Sequence, residues 1–289
     1  MDTAILTNVQ RGSLHDGPGV RTTFFFQGCN LHCTWCHNPE TIPPEPVLMR
    51  YANRCIGCRI CEDVCMNGLR KEDCTLCGAC TEACPAEARV FSGTQRTAEE
   101  LLDIALREQR FYGTDGGVTC SGGEPMLQIG FLERFLPMLK EHGIRTAVDT
   151  AGCIPWTQYE RILPYTDLFL MDYKLADERK HKEYTGVSRT RIAENLRRFA
   201  DCGREVWIRM PIIPGVNDTA EDVCAAGREL SDIGFRGTVE LLPFHRLGQG
   251  KYDALGLNYR FADTQPPSKE HMEKLKHTLR SQFDTLNVK

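Results

Sequence analysis

Cys29, Cys33 and Cys36 place three thiols within eight residues, separated by three residues and then by two. Three thiolates suit a four-iron, four-sulfur cube in which three irons take cysteine and the fourth stays open to a substrate. The competing reading is a tetrahedral zinc site that recruits His32 or His37 as the missing ligand.

A second set is denser. Cys55-x2-Cys58-x2-Cys61-x3-Cys65 is followed, after eight residues, by Cys74-x2-Cys77-x2-Cys80-x3-Cys84-Pro85. This doubled spacing is similar to that of a bacterial ferredoxin, in which the fourth cysteine of each run serves the other cluster. The resemblance implies one cluster on Cys55, Cys58, Cys61 and Cys84, and another on Cys74, Cys77, Cys80 and Cys65. Two departures bear on Cys65: Met66 stands where proline usually follows, and the connection between the runs is short. Paired zinc sites are the alternative. Cys120, Cys153, Cys202 and Cys224 are isolated and read as buried thiols.

The bulk numbers agree with metal ligation. Fifteen cysteines in a chain of 289 residues without a secretory leader read as reduced thiols of a cytoplasmic protein rather than as disulfides. With 41% hydrophobic residues the chain can bury a full core. Lys and Arg number 35 against 39 Asp and Glu, so no strong field recruits nucleic acid or an anionic membrane, and no run is long and apolar enough to span a bilayer. The reading is of a monomer.

These residues need elements to hold them. Arg21–Gln27 is apolar and β-rich and ends at Gly28, just before the first cysteine. Thr97 with Glu100 forms a capping box for a helix over 98–109, and a strand follows over 117–121. The alternation continues with helix 129–142, strand 145–149, a short helix, strand 168–172, helix 191–202, strand 205–211, helix 219–233 and strand 238–243. Six strands alternating with helices imply right-handed crossovers and a parallel sheet. The expected fold is α/β, a partial (β/α)6 barrel over residues 1–52 and 89–289 with a small iron-sulfur insert over 53–88; a flat doubly wound sheet is the alternative.

The polar motifs fall at predicted strand ends. The first cysteines follow strand one, Gly122-Gly123-Glu124-Pro125 follows strand two, Asp149 ends strand three, Asp172 and Lys174 close strand four, and His245 follows strand six. Parallel α/β folds build their active sites at that face. Gly122 and Gly123 lack Cβ atoms and permit close approach to a ligand, and Glu124 can accept hydrogen bonds from an ammonium group.

CNLHCTWC resembles the signature of radical S-adenosylmethionine enzymes, and SGGEP their second motif. HDGPGVRTTFFFQGC, CHNPE, VDTAG, MDYK, WIRMPIIPG and ELLPFH extend the resemblance over nearly the whole chain to the activating enzymes of glycyl radical enzymes. The resemblance implies that the open iron on Cys29, Cys33 and Cys36 chelates S-adenosylmethionine, that Trp35 lies beside its adenine, and that Gly122, Gly123 and Glu124 meet its amino group. It implies that Asp149, Thr150 and Asp172 gather a monovalent cation, that Asp172 and Lys174 lie near substrate and nucleoside, and that Arg209 and His245 lie near the nucleoside and its carboxylate. Asp16 would contact the glycine loop of the partner, a glycyl radical enzyme. The cofactors implied are three 4Fe-4S clusters and S-adenosylmethionine, with flavodoxin or ferredoxin as electron donor.

Two other readings differ in testable features. A radical enzyme that modifies another peptide residue would carry auxiliary cysteines after the barrel, whereas none follows Cys224. An electron-transfer subunit would leave GGEP and the three-cysteine site without a use.

Overall fold

The computed structural model describes residues 2–69 and 73–289. In chain order its elements are β1 (Thr3–Ser13), β2 (Arg21–Phe26), β3 (Val47–Arg50), α1 (Ile60–Asp63), α2 (Ala79–Glu82), β4 (Arg89–Ser92), β5 (Thr94–Thr97), α3 (Ala98–Glu108), β6 (Gly117–Gly122), α4 (Ile129–Glu141) and β7 (Thr146–Thr150). There follow α5 (Trp156–Ile162), β8 (Leu168–Asp172), α6 (Glu178–Thr185), α7 (Thr190–Asp201), β9 (Glu205–Ile212), α8 (Ala220–Asp232), β10 (Thr238–Pro243), α9 (Gln249–Leu255), α10 (Lys269–Gln282) and β11 (Asn287–Val288).

The main sheet runs β11-β10-β9-β8-β7-β6-β2-β1-β5. From β2 through β10 all neighbours are parallel, which is the six-strand repeat expected from the sequence. Strand β11 adds a short parallel partner to β10, while β1 pairs antiparallel with both β2 and β5. Period-two burial in β1 is confined to its first residues, and Asn8–Gly12 is half-buried to exposed, so its apolar signal is too short to announce an 11-residue strand.

The sheet is curled. Strand β9 lies four strand spacings from β2, about 19 Å across a flat sheet. Yet Arg209 Nη2 on β9 donates to the carbonyl of His15, in the β1–β2 turn, at 3.2 Å. Gly17 in the same turn approaches the Leu168 side chain at the start of β8. The outer face carries the large core, with Phe24, Val118, Val148, Phe169, Ile208 and Val239 packed under the helices. The concave face holds a small apolar plug of Ala147, Leu168, Leu170 and Trp207. Alternation along parallel strands gives one set of side chains to the helices and the other to the interior.

Arg21 closes the base of this interior. It is fully buried, donates to Thr119 Oγ1 at 2.5 Å and to the Val118 carbonyl at 2.6 Å, and burial lowers its pKa to about 10.

Strands β3 and β4 form a two-stranded antiparallel stem, register Arg50↔Arg89, from which the cysteine-rich stretch extends. The Tyr51 amide donates to Ala88 at 2.8 Å and continues the stem by one step. Residues 70–72 of the expected insert lie outside the described residues. Among the described residues no helix is long and apolar enough to cross a membrane.

The capping box at α3 is complete: Glu100 N donates to Thr97 Oγ1 at 3.2 Å, and Thr97 N donates back to Glu100 Oε2 at 2.9 Å. Thr97→Ala removes one half of this exchange and should lower stability by about 1 kcal/mol, read as a shifted urea midpoint with an unchanged slope.

Candidate active site at the strand carboxyl ends

Beyond β2 the chain turns through Gly28, whose φ of +93° is open to glycine and strained for other residues. The cysteine loop is then fixed by main-chain bonds. Gly28 N and Cys29 N donate to Thr41 and Ile42, His32 N and Thr34 N to Thr185 and Tyr184, and Cys36 N to Cys33. The loop is thus clamped between its own return segment and the end of α6.

The GGEP turn locks against it. Gly123 N donates to Phe26 at 2.9 Å and Glu124 N to Gly28 at 2.7 Å, carrying the β2–β6 ladder past both strand ends. A Cβ on Gly122 would lie 2.2 Å from Phe26 N, and one on Gly123 would lie 2.2 Å from Gly28 O. In the direction a side chain would take, each glycine meets the facing strand's backbone, so their smallness serves the approach of the two strand ends. The Glu124 carboxylate is fully buried and accepts from Ala151 N at 2.9 Å, Thr150 Oγ1 at 3.0 Å and Met126 N at 3.2 Å. It ties the turn to the end of β7 rather than presenting a free oxygen at the site's surface.

Inside the curl lies a charged layer. Asp149 Oδ2 accepts from Ser121 Oγ at 2.8 Å and from Arg209 Nη1 at 3.1 Å, while Asp149 Oδ1 is buried with no partner among the described residues. Arg209 also faces Glu240 at 3.5 Å, and its buried Nε makes no hydrogen bond there. Its Nη groups are thus engaged by Asp149 and the His15 carbonyl, and its Nε faces Glu240. Lys174 Nζ and Asp172 Oδ2 pair at 2.6 Å with both side chains mostly buried, so this is no solvated surface pair. The charges of both act on the Cys33 thiol, which places them at the cysteine loop.

Asp16 sits lower, in the β1–β2 turn at the amino ends of the strands. Its Oδ2 accepts from Ser13 Oγ at 2.6 Å and Thr23 Oγ1 at 2.8 Å. Trp35 is enclosed, its ring 6.0 Å from Tyr184 and 6.4 Å from Phe261. His245 stands edge-to-face with His37 at 4.5 Å beside Cys36. Burial, with His245 and Lys251 nearby, lowers the His37 pKa to about 4.

Burial also raises all three loop thiols, Cys36 to about 12, so thiolates persist there only with positive charge among them. Among the described residues no three His, Cys, Asp or Glu side chains gather closely enough to hold a single ion. What marks the loop is its donor set: three thiols and no carboxylate on one turn at the carboxyl ends of the strands. Sulfur of that number fits a cluster with one open iron.

The second cysteine set is built on a repeated backbone device. Gly57 and Leu76, two residues after Cys55 and Cys74, are both left-handed, as are Arg59 and Gly78 just after Cys58 and Cys77. Each run then enters a four-residue helix, α1 or α2. Non-glycine residues rarely hold that conformation, so its use by Arg59 and Leu76 sets a strained backbone at matching places in the two runs. Cys55, Cys58, Cys61 and Cys84 line one cavity of ≈ 740 Å³. Cys80 feels both Cys65 and Cys74 as neighbouring charges. Leu69 N donates to Cys65 Sγ at 3.2 Å, and Met66 is almost wholly exposed. Burial pushes the Cys84 thiol up, but the amides of Ala86, Arg89 and Ala88 together with the Arg89 charge outweigh it and hold the thiol below its usual value.

Beyond the ELLPFH motif, the segment after β10 is absent from the sequence reading. Phe244, Tyr252, Tyr259 and Phe261 form an apolar cluster around Trp35, and Tyr252 Oη donates to the Cys36 carbonyl at 3.1 Å. No local motif signals it, because its partners lie more than 200 residues away.

Burial raises the Glu124 pKa to about 7, against the Ala151 amide and the Thr150 hydroxyl, and the Asp149 pKa to about 6, against Arg209. The native state therefore keeps protons that the unfolded chain loses near pH 4, and this contribution to stability disappears as pH rises through about 6 to 7. Urea stability of the chain should fall between about pH 5 and 7.5, and Glu124→Gln should flatten that slope; an unchanged slope would contradict the burial of this carboxyl.

A sequence model of the Radical SAM superfamily matches residues 23–226, which begin in β2 and include the cysteine loop, the GGEP turn and the Asp149 to Lys174 strand ends. The chain is 39% identical over 286 residues to an isethionate sulfite-lyase activating enzyme of Oleidesulfovibrio alaskensis, covering 93% of this chain and 90% of that one. It is 37% identical over 279 residues to a (2S)-3-sulfopropanediol dehydratase activating enzyme of Klebsiella oxytoca, covering 90% and 88%. The crystal structure of a domain of pyruvate-formate lyase-activating enzyme from Bacteroides vulgatus superposes with a TM-score of 0.50 and 27% identity over 60% of this chain and 99% of that domain.

Proposed function

Since the chain belongs to the radical SAM superfamily and, within it, to the activating enzymes of glycyl radical enzymes, we propose how its residues divide that work. The enzyme cleaves S-adenosylmethionine and installs a radical on a glycine of a partner enzyme. Cys29, Cys33 and Cys36 would hold the cluster, which would supply the electron for cleaving S-adenosylmethionine to methionine and a 5′-deoxyadenosyl radical, the species that would take a Cα hydrogen from the glycine. The observation that carries the assignment is the three-thiol loop, hydrogen-bonded to the GGEP turn at the carboxyl ends of a curled parallel sheet.

In this reading the chain's residues position and exclude water. Gly122 and Gly123 let the turn close on the loop, and Glu124 fixes it to β7. Asp149, Thr150 and Asp172 supply oxygens for a monovalent cation, consistent with the unpartnered Asp149 Oδ1. Lys174 and Arg209 balance the acids of the interior and leave it suited to a ligand that carries both charges. Trp35 walls the adenosyl side, and His245 stands at the rim beside His37. Asp16, in the β1–β2 turn below the charged layer, meets the partner's glycine loop as it enters.

Residues 53–88 form a ferredoxin-like unit separate from the barrel of residues 1–52 and 89–289, and it holds two further 4Fe-4S clusters. The crossed ligand sets are supported by the cavity shared by Cys55, Cys58, Cys61 and Cys84 and by the closeness of Cys80 to both Cys65 and Cys74. A flavodoxin or ferredoxin supplies the electron in the cytoplasm, and the chain acts as a monomer. The relatives are named for different partner enzymes, so family membership leaves the partner open.

Anaerobically reconstituted protein should bind about twelve irons per chain, and Cys77→Ala about eight. Zinc in place of iron would remove the insert reading. Reduced protein, S-adenosylmethionine and the partner should give a glycine-centred doublet in electron paramagnetic resonance. Cys33→Ala should abolish cleavage of S-adenosylmethionine, and near-normal turnover would refute its ligand role.

A further inference from the structure

Lys251, on α9, reaches back across the chain to the segment that follows the cysteine loop. Its Nζ donates to Glu40 Oε1 and to Asn38 Oδ1, each at 2.6 Å. Glu40 is 6% exposed, and its second oxygen is buried with no partner among the described residues. The carboxylate thus has one ammonium as its sole charged partner there, and removing that partner would strand a buried anion. Glu40 acts on the Cys36 thiol as a nearby negative charge, as it does on Tyr51 at the foot of the insert's stem.

Two further contacts fix α9 to the loop. Tyr252 Oη donates to the Cys36 carbonyl, and Gly248 passes so close that a Cβ would lie 2.9 Å from the His37 carbonyl oxygen. The helix that carries the cation is therefore seated directly on the last ligand-bearing turn.

We infer that Lys251 is a positioning residue of the active site: by neutralising Glu40 it holds the Cys36 turn in place and sets the reduction potential of the cluster bound there. The inference rests on the assignment of that cluster to Cys29, Cys33 and Cys36. The potential of an iron-sulfur centre follows the net charge and hydrogen bonding around it, and residues beyond the ligands tune both. An uncompensated carboxylate beside the cluster disfavours the extra electron. Loss of the carboxylate with the ammonium retained favours it.

The test uses the full-length enzyme with all clusters loaded. The signal to follow is the reduced-cluster resonance that changes on adding S-adenosylmethionine, titrated against potential in wild type, Lys251→Met, Glu40→Gln and the double variant. Lys251→Met should shift its midpoint negative, Glu40→Gln should shift it positive, and the double variant should return toward wild type. The Lys251→Met enzyme should also show a lower kcat at fixed donor potential, recovered with a stronger reductant. Equal shifts of the same sign in both single variants would mean a purely structural role and overturn the inference, as would unchanged midpoints. Should the signal survive replacement of Cys29, Cys33 and Cys36 together by Ala, the cluster assignment itself would fall, a result separate from either of these.

Discussion

Two main-chain hydrogen bonds, Gly123 N to Phe26 O and Glu124 N to Gly28 O, hold the rest of the site together. They extend the β2–β6 ladder beyond the last residue of each strand and so set the cysteine loop against the GGEP turn. The geometry admits no side chain on either glycine, and the buried Glu124 carboxylate carries the constraint on to Thr150 and Ala151 at the end of β7. Three strand ends are thereby fixed to one another before any cofactor binds. This is preorganisation by backbone, which holds a ligand site more tightly than flexible side chains can.

Beneath that layer the curled sheet keeps a charged interior. Asp16, Asp149, Asp172 and Glu240 face Arg209 and Lys174, with an apolar plug of Ala147, Leu168, Leu170 and Trp207 on the same concave face. Acids outnumber bases among these six side chains, and one oxygen of Asp149 is unpartnered. Burying charges at such density costs desolvation that their mutual attraction only partly offsets, so this layer adds little to the stability of the fold.

Much of this was legible in the sequence for a physical reason. The six parallel strands are buried on both faces, so they read as short apolar runs punctuated by glycines, and their helices carry capping signals such as Thr97–Glu100 and Thr219–Asp222. The cysteine spacing is local and survives without the fold. What the sequence hides is long-range or set by geometry. The antiparallel strand β1, between β2 and β5, has too few buried positions to show, and the contact of Lys251 with Glu40 spans 211 residues. Trp35, Glu124 and Arg209 were legible as important residues, but only the structure shows that each is engaged by the chain's own atoms: Trp35 by the segment after β10, Glu124 by β7, and Arg209 by Asp149, Glu240 and the His15 carbonyl.

The chemistry turns on the transfer of one hydrogen from the partner's glycine to the 5′ carbon of the adenosyl group. Isotope transfer reads that step directly. With a partner enzyme deuterated at its radical-bearing glycine, the 5′-deoxyadenosine recovered after anaerobic turnover should carry one deuterium per glycyl radical formed. Cleavage of S-adenosylmethionine that yields only unlabelled 5′-deoxyadenosine, while the partner gains its radical, would contradict the account.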